Sequence, residues 1–259
     1  MRTLTAAVVP VSRLDPPRME AMFRLYAGHY EAVTAQRFQH DLADKTVVLL
    51  LYDSHGELGG FSTLAIDDIA FVGRTYRVLF SGDTLIEPAY WGCHEFAFAW
   101  LRLTGRIKAG CQERPLIWFL IVKGHRTYRY LPAFSLRYYP CYAYPTPAPE
   151  QALLDYLARQ RFGDYYDAAT GLIRFPESRG HLCPELARIP EKDRNRPDVE
   201  FFLKRNPGYG RGDELACLCE LTPNNLRPLA RRLFAEGLQS GQPLEPGAAE
   251  KRFANADRT

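Results

Sequence analysis

The chain has 259 residues, of which 46% are hydrophobic and 24% charged, and its formal net charge is +3. That length suits one large domain or a core domain with an extension, and so small a charge gives no electrostatic reason to expect a nucleic-acid partner. No stretch approaches the roughly 20 apolar residues that span a bilayer, and the run from Ala6 to Val11 is too short for a secretory leader, so a soluble, cytoplasmic protein is expected.

In chain order, Pro17 to Asp44 reads as helix, because Met19, Met22, Phe23, Tyr26, Tyr30 and Val33 recur at three- and four-residue spacing, with Gly28 as a point where it could split. Thr46 to Tyr52 and Leu58 to Ile66 read as an antiparallel hairpin joined through Asp53-Ser-His-Gly56. Arg74 to Ile86 is a third strand, and Gly92 opens a helix to about Leu103. Pro115 to Val122 is a continuous apolar run, as expected of a strand buried on both faces. His125 to Leu131 reads as a short helix stopped by Pro132, and Phe134 to Tyr144 as an aromatic strand. The proline-rich 145–149 segment marks a boundary. Beyond it Glu150 to Phe162 reads as an amphipathic helix, 163–195 as irregular, Asp198 to Lys204 as helix and Glu214 to Leu221 as strand. Thr222-Pro223 reads as the start of a helix to about Phe234. The organisation expected is a core over 1–145, an extension over 146–239 that can add a final strand, and a disordered tail over 240–259.

Six cysteines are scattered through a chain too large to need disulfide staples. His181 and Cys183 with Cys217 and Cys219 could supply four zinc ligands. Alternation along 215–221 puts the last two sulfurs on one strand face, however, and buried thiols acting as small hydrophobes are the preferred reading, with no metal.

The order helix, strand, strand, strand, helix, buried strand, short helix, strand over about residues 17–144 resembles the GNAT superfamily of N-acyltransferases. Three places carry the resemblance. The third strand runs into Pro88-Ala-Tyr-Trp-Gly92 and a helix, the buried strand follows downstream, and a short helix holds Tyr128 and Tyr130 ahead of Phe134. The resemblance implies an α/β fold: a central mixed sheet flanked by helices, here with a C-terminal helical extension. It implies transfer of an acyl group from a thioester, as acyl-CoA or on the phosphopantetheine of an acyl carrier protein, to the amine of a small molecule or protein, with no cofactor held permanently. The family's Q/R-x-x-G-x-G/A loop keeps only Gly92, followed by Cys93-His94-Glu95, and Trp91 stands where a basic residue is expected. A carrier-borne arm, which lacks the 3′-phosphate of coenzyme A, tolerates that loss better.

The residues themselves point to the same region. Ser81-Gly82-Asp83-Thr84 is poor strand sequence, and local rule-breaking tends to mark function. Asp83 or Glu87 would take the ammonium proton, and one of Tyr128 and Tyr130, which point apart on a helix, would protonate the leaving thiolate. Thr84, Leu85, Ile86, Tyr90, Trp91, Gly92, Cys93 and His94 would bind the donor, with Lys123, Arg126 and Arg129 offering positive charge. The bland readings are a local bulge for Asp83, a strand end for Glu87, core packing for the tyrosines and a solvated face for the cations. A non-catalytic module that binds a ligand or carrier protein is the alternative function.

Overall fold

The computed structural model describes residues 3–244. The first strand, β1 (Thr5–Pro10), is followed by α1 (Pro16–His29), where the Asp15 side chain accepts from Arg18 N–H and Pro16 and Pro17 start the helix. The single helix expected over 17–44 is in fact two. Tyr30–Glu31 leaves the helix as strand β2, Ala32 takes a positive φ of 56°, and Thr34 caps α2 (Ala35–Ala43) by accepting from Arg37 N–H. The break lies beyond Gly28, which stays helical.

Next come β3 (Val47–Tyr52), β4 (Leu58–Phe71), β5 (Arg74–Ile86), α3 (Glu95–Ala109) and β6 (Leu116–Val122). The short helix after β6 is two turns, α4 (His125–Tyr128) and α5 (Tyr130–Phe134), and α6 spans Ala148–Phe162. Small elements occupy the stretch read as irregular: β7 (Tyr166–Asp167), β8 (Leu172–Ile173), β9 (His181–Leu182), α7 (Pro184–Ala187) and α8 (Glu191–Arg194). The described chain ends with α9 (Pro197–Arg205), β10 (Glu214–Glu220) and α10 (Pro228–Leu238). From residue 245 on, the expected tail lies outside the described residues.

Eight strands form one mixed sheet in the order β1-β3-β4-β5-β6-β10-β8-β7, while β2 pairs with β9 in a two-stranded piece. Only β5 and β6 run parallel. The helix-flanked mixed sheet is the α/β architecture expected above. The helices α3 and α10 cover one face over Leu79, Trp118 and Leu120. On the other face α1 and α2 cover Val48, Leu50 and Phe61, and α6 covers Val78, Phe80 and Phe119.

Two further expectations fail for identifiable reasons. The aromatic strand over 134–144 does not form. Ser135 and Tyr139 make only isolated bridges to Leu226 and Leu218, Pro140 has no N–H to give a ladder, and β10 takes the place beside β6. The last helix starts at Pro228 rather than Thr222. Asn225 pins the intervening turn by donating to Arg137 O at 2.8 Å and Glu220 O at 2.7 Å while accepting from Arg137 N–H at 2.8 Å.

Candidate functional site

The parallel β5/β6 ladder runs only from Arg77↔Leu116 to Ser81↔Leu120. Beyond that point β5 continues against β4 as far as Ile86↔Gly60, and β6 continues against β10 to Val122↔Leu215. Each strand keeps its outer neighbour while the two part from one another. A cavity of about 1210 Å³ opens at the gap.

The parting begins at a bulge. Ser62 pairs with Thr84 and Leu64 with Ser81, so Gly82 and Asp83 stand opposite Thr63 alone. Glycine at position 82 leaves room for the Lys45 stem, because a Cβ there would lie 2.7 Å from Thr63 Oγ1 and 2.8 Å from Lys45 Cε and these side chains would have to shift. The irregular Ser81-Gly82-Asp83-Thr84 sequence thus lets Lys45 cross the strand and turns Asp83 towards the cavity.

Asp83 is half-buried there. Burial raises its carboxyl pKa, and Lys45 and Lys123 oppose the shift. Burial likewise lowers the pKa of Lys45, whose Nζ donates to Asp41 O at 2.7 Å. Glu214, the first residue of β10, is 6% exposed, and its Oε1 lies 3.4 Å from Lys123 Nζ. Burial raises its pKa, Lys123 opposes and Asp83 reinforces. Tyr26 and Tyr30 complete this half, their rings 4.9 Å apart, and burial first and Asp83 second push both phenols above the ordinary range.

The other half lies between the strand ends. Trp91 Nε1–H donates to Ile86 O at 2.9 Å, and His29 Nε2 lies 3.3 Å from the same oxygen. The Arg126 guanidinium sits 4.2 Å from the Trp91 ring centroid and donates to Leu186 O at 2.6 Å. A residue following β5 and a residue following β6 therefore meet across the mouth of the gap.

Of the residues expected from sequence, Asp83, Thr84, Leu85, Ile86, Trp91, Lys123, Arg126 and Tyr130 line this cavity. The rest do not. Tyr128 is a core residue, 0% exposed, whose hydroxyl donates to Pro140 O at 2.8 Å, so it faces away from the gap. Glu87 N–H continues the ladder to Gly59 O at 3.0 Å, and the Tyr90 hydroxyl is engaged with Asp53 Oδ2 at 3.0 Å. Gly92 adopts φ 92° in the turn, Cys93 N–H bonds Tyr90 O at 3.1 Å, and His94 stacks on Phe98 at 5.7 Å. Arg129 pairs with Asp193 at 3.0 Å. Glu95 occupies the first turn of α3, so a carboxylate stands at the helix end where an anion would dock.

The Tyr130 hydroxyl makes no hydrogen bond among the described residues, and burial raises its pKa to about 12. The two tyrosines should separate in experiment. On the expectation above that one of these tyrosines protonates a leaving thiolate, Tyr130→Phe should slow thiol release at least about tenfold with little loss of stability. Tyr128→Phe should cost about 1 kcal/mol in thermal or denaturant unfolding, one buried hydrogen bond, and leave turnover near wild type.

Lys45, Glu214, Tyr26 and Tyr30 escaped the sequence reading as site residues. A signal existed for one of them: Glu214 leads a strand whose next five residues, Leu215 to Cys219, are all apolar. Of the four residues that could supply zinc ligands, Cys217 and Cys219 are fully buried, as the thiol reading expects, and His181 Nε2 lies 3.2 Å from Glu31 Oε2. Among the described residues no cluster suited to a metal ion occurs, and no helix is long and apolar enough to cross a membrane.

No family model and no curated protein matches the chain. Among solved structures, it is similar to a conserved protein from Enterococcus faecalis described as a probable N-acyltransferase, at 17% identity and a TM-score of 0.39, over 52% of this chain and 33% of that one. It is also similar to a GNAT family N-acetyltransferase from Escherichia coli in complex with CoA, at 16% identity and a TM-score of 0.36, over 52% and 71% of the two chains. The chain thus spans about a third of the Enterococcus protein (33%).

Proposed function

We propose that this protein transfers an acyl group from a thioester to an amine. The observation that carries the reading is the gap between β5 and β6, where the ladder stops at Ser81↔Leu120 while a bulge turns Asp83 into the cavity. A pantetheine arm fits between parted strands, whose backbone groups no longer pair with one another beyond Ser81↔Leu120 and can pair with its amides. Asp83 takes a proton from the acceptor ammonium, directly or through water. The freed amine attacks the thioester carbonyl, and a strand N–H near the bulge holds the developing oxyanion. The C–S bond then breaks, the thiolate takes a proton from Tyr130, and the attacking nitrogen gives its second proton to the Tyr130 phenolate, so the net products are an amide, a free thiol and the one proton held by Asp83.

An arm on an acyl carrier protein is the donor favoured over free acyl-CoA. Support comes from Glu95 at the start of α3 and Trp91 in place of a basic residue, which leave the coenzyme's pyrophosphate without a cradle. The acceptor is the amine of a small molecule, a reading supported by the residues of α1, α2 and α6 that line the Asp83 side of the cavity. One observation favours the alternative of a non-catalytic binder: Trp91 and His29 already occupy Ile86 O at the mouth. Free-thiol release separates the two. An enzyme liberates thiol from acyl-carrier or acyl-CoA thioesters when an amine pool is added. A protein that is stabilised by a thioester yet liberates none with any amine is a binder.

A further inference from the structure

The Lys123–Glu214 pair does no work in the mechanism above, yet it lies at its centre. Lys123 directly follows β6 and Glu214 begins β10, and the antiparallel register that pairs Leu215 with Val122 brings them together. Their side chains are 13% and 7% exposed and 3.4 Å apart. Lys123 is further held by Arg179 O at 3.3 Å and by the Tyr30 ring at 5.2 Å. An ion pair this buried adds little stability over an apolar pair of the same size. Its place in the cavity wall, one strand from Asp83, calls for another account.

We propose that Lys123 and Glu214 are positioning residues, a pair of opposite charges assembled by the last strand that governs proton transfer at Asp83 without touching the acceptor. The inference rests on Asp83 acting as the base. Around that carboxyl stand Tyr26 of α1, Tyr30 of β2, Asp41 of α2, Lys45 just after α2, Lys123 just after β6 and Glu214 of β10. Lys123 favours the ionised form of Asp83 that accepts a proton, and Glu214 disfavours it while holding Lys123 in place. The pair therefore sets the pH at which the base becomes competent, and ties that setting to correct docking of β10.

The two members then have opposite effects on the acid limb of the pH–rate profile. Glu214→Gln removes a negative charge, lets Asp83 ionise more readily and moves the limb to lower pH. Lys123→Met removes the positive charge and moves it to higher pH. Each shift is expected to be about one pH unit for a charge lining the same partly buried cavity. The double variant should return towards wild type, and Lys123→Arg, which keeps the charge, should leave the limb in place. Thermal unfolding confirms that each variant is folded, and the double variant and Lys123→Arg carry the test if one single variant is not. A structural role alone would lower rates without opposite movements, and that outcome overturns the inference while leaving Asp83 as base. A wild-type protein that releases no thiol, or has no acid limb, overturns the functional reading and the inference with it.

Discussion

Asp83→Asn is expected to lower thiol-release turnover by about 10²-fold or more while the protein stays folded. Asparagine keeps the shape and hydrogen-bonding capacity of the side chain but cannot accept the ammonium proton, and positioned acid–base groups typically contribute about 10²–10⁴-fold. Stability should change little. The cavity already disfavours the charged carboxyl, because burial raises its pKa against the pull of Lys45 and Lys123, so a neutral isostere costs less here than at an ordinary ion pair. The same raised pKa fixes the pH dependence. Asp83 is a base only when ionised, so wild-type turnover falls as pH drops through its value in the folded protein, and the fall begins above the ordinary aspartate range near 3.8. A variant with turnover within threefold of wild type would remove Asp83 from the chemistry.

The largest stability effect is expected where α3 crosses α10. Gly105 and Gly237 let the backbones touch: a Cβ on Gly237 would overlap Arg102 O, and one on Gly105 would overlap Phe234 O and lie 2.7 Å from Leu238 N. The obstructing atoms are helix backbone, which cannot rotate aside, so relief requires the helices to separate over a well-packed core. Gly237→Ala should therefore cost about 3 kcal/mol, the upper end of ordinary overpacking, and lower Tm by roughly 2–4 °C per kcal/mol. Gly28→Ala in α1 is the contrast. Nothing lies within 4 Å of its Cβ position, and the gain in helix propensity should stabilise by about 0.5–1 kcal/mol. Equal effects from the two alanines would refute the close-approach account.

The sequence carried much of this fold because its signals are local. The apolar run Leu116–Val122 reads as a buried strand and forms one, and Ser81-Gly82-Asp83-Thr84 announced an irregularity where the bulge lies. The spacing of Tyr128 and Tyr130 required them to point apart, and the structure sends the first into the core and the second into the cavity wall. What stayed hidden depended on long-range pairing. The helix break at Tyr30 is made by pairing with β9, about 150 residues later, and no helical periodicity encodes it. Lys45 and Glu214 reach the cavity only because β10 docks beside β6 and Gly82 leaves room for a lysine stem. Composition cannot distinguish such a lysine from one in solvent.

The central claim is that a thioester's pantetheine arm enters the gap between β5 and β6, and Trp91 reports on that gap directly. It is 44% exposed, while the other two tryptophans, Trp100 and Trp118, are 2% and 3% exposed in the core. An arm that takes Ile86 O as a partner has to displace the indole that holds it at 2.9 Å. Titrating an acyl-carrier or acyl-CoA thioester should therefore give a saturable change in tryptophan fluorescence in the wild type. In Trp91→Phe the change should be absent although the thioester still raises Tm. Failure of every thioester to bind, or binding that leaves Trp91 emission unchanged, would place the donor elsewhere and contradict the account.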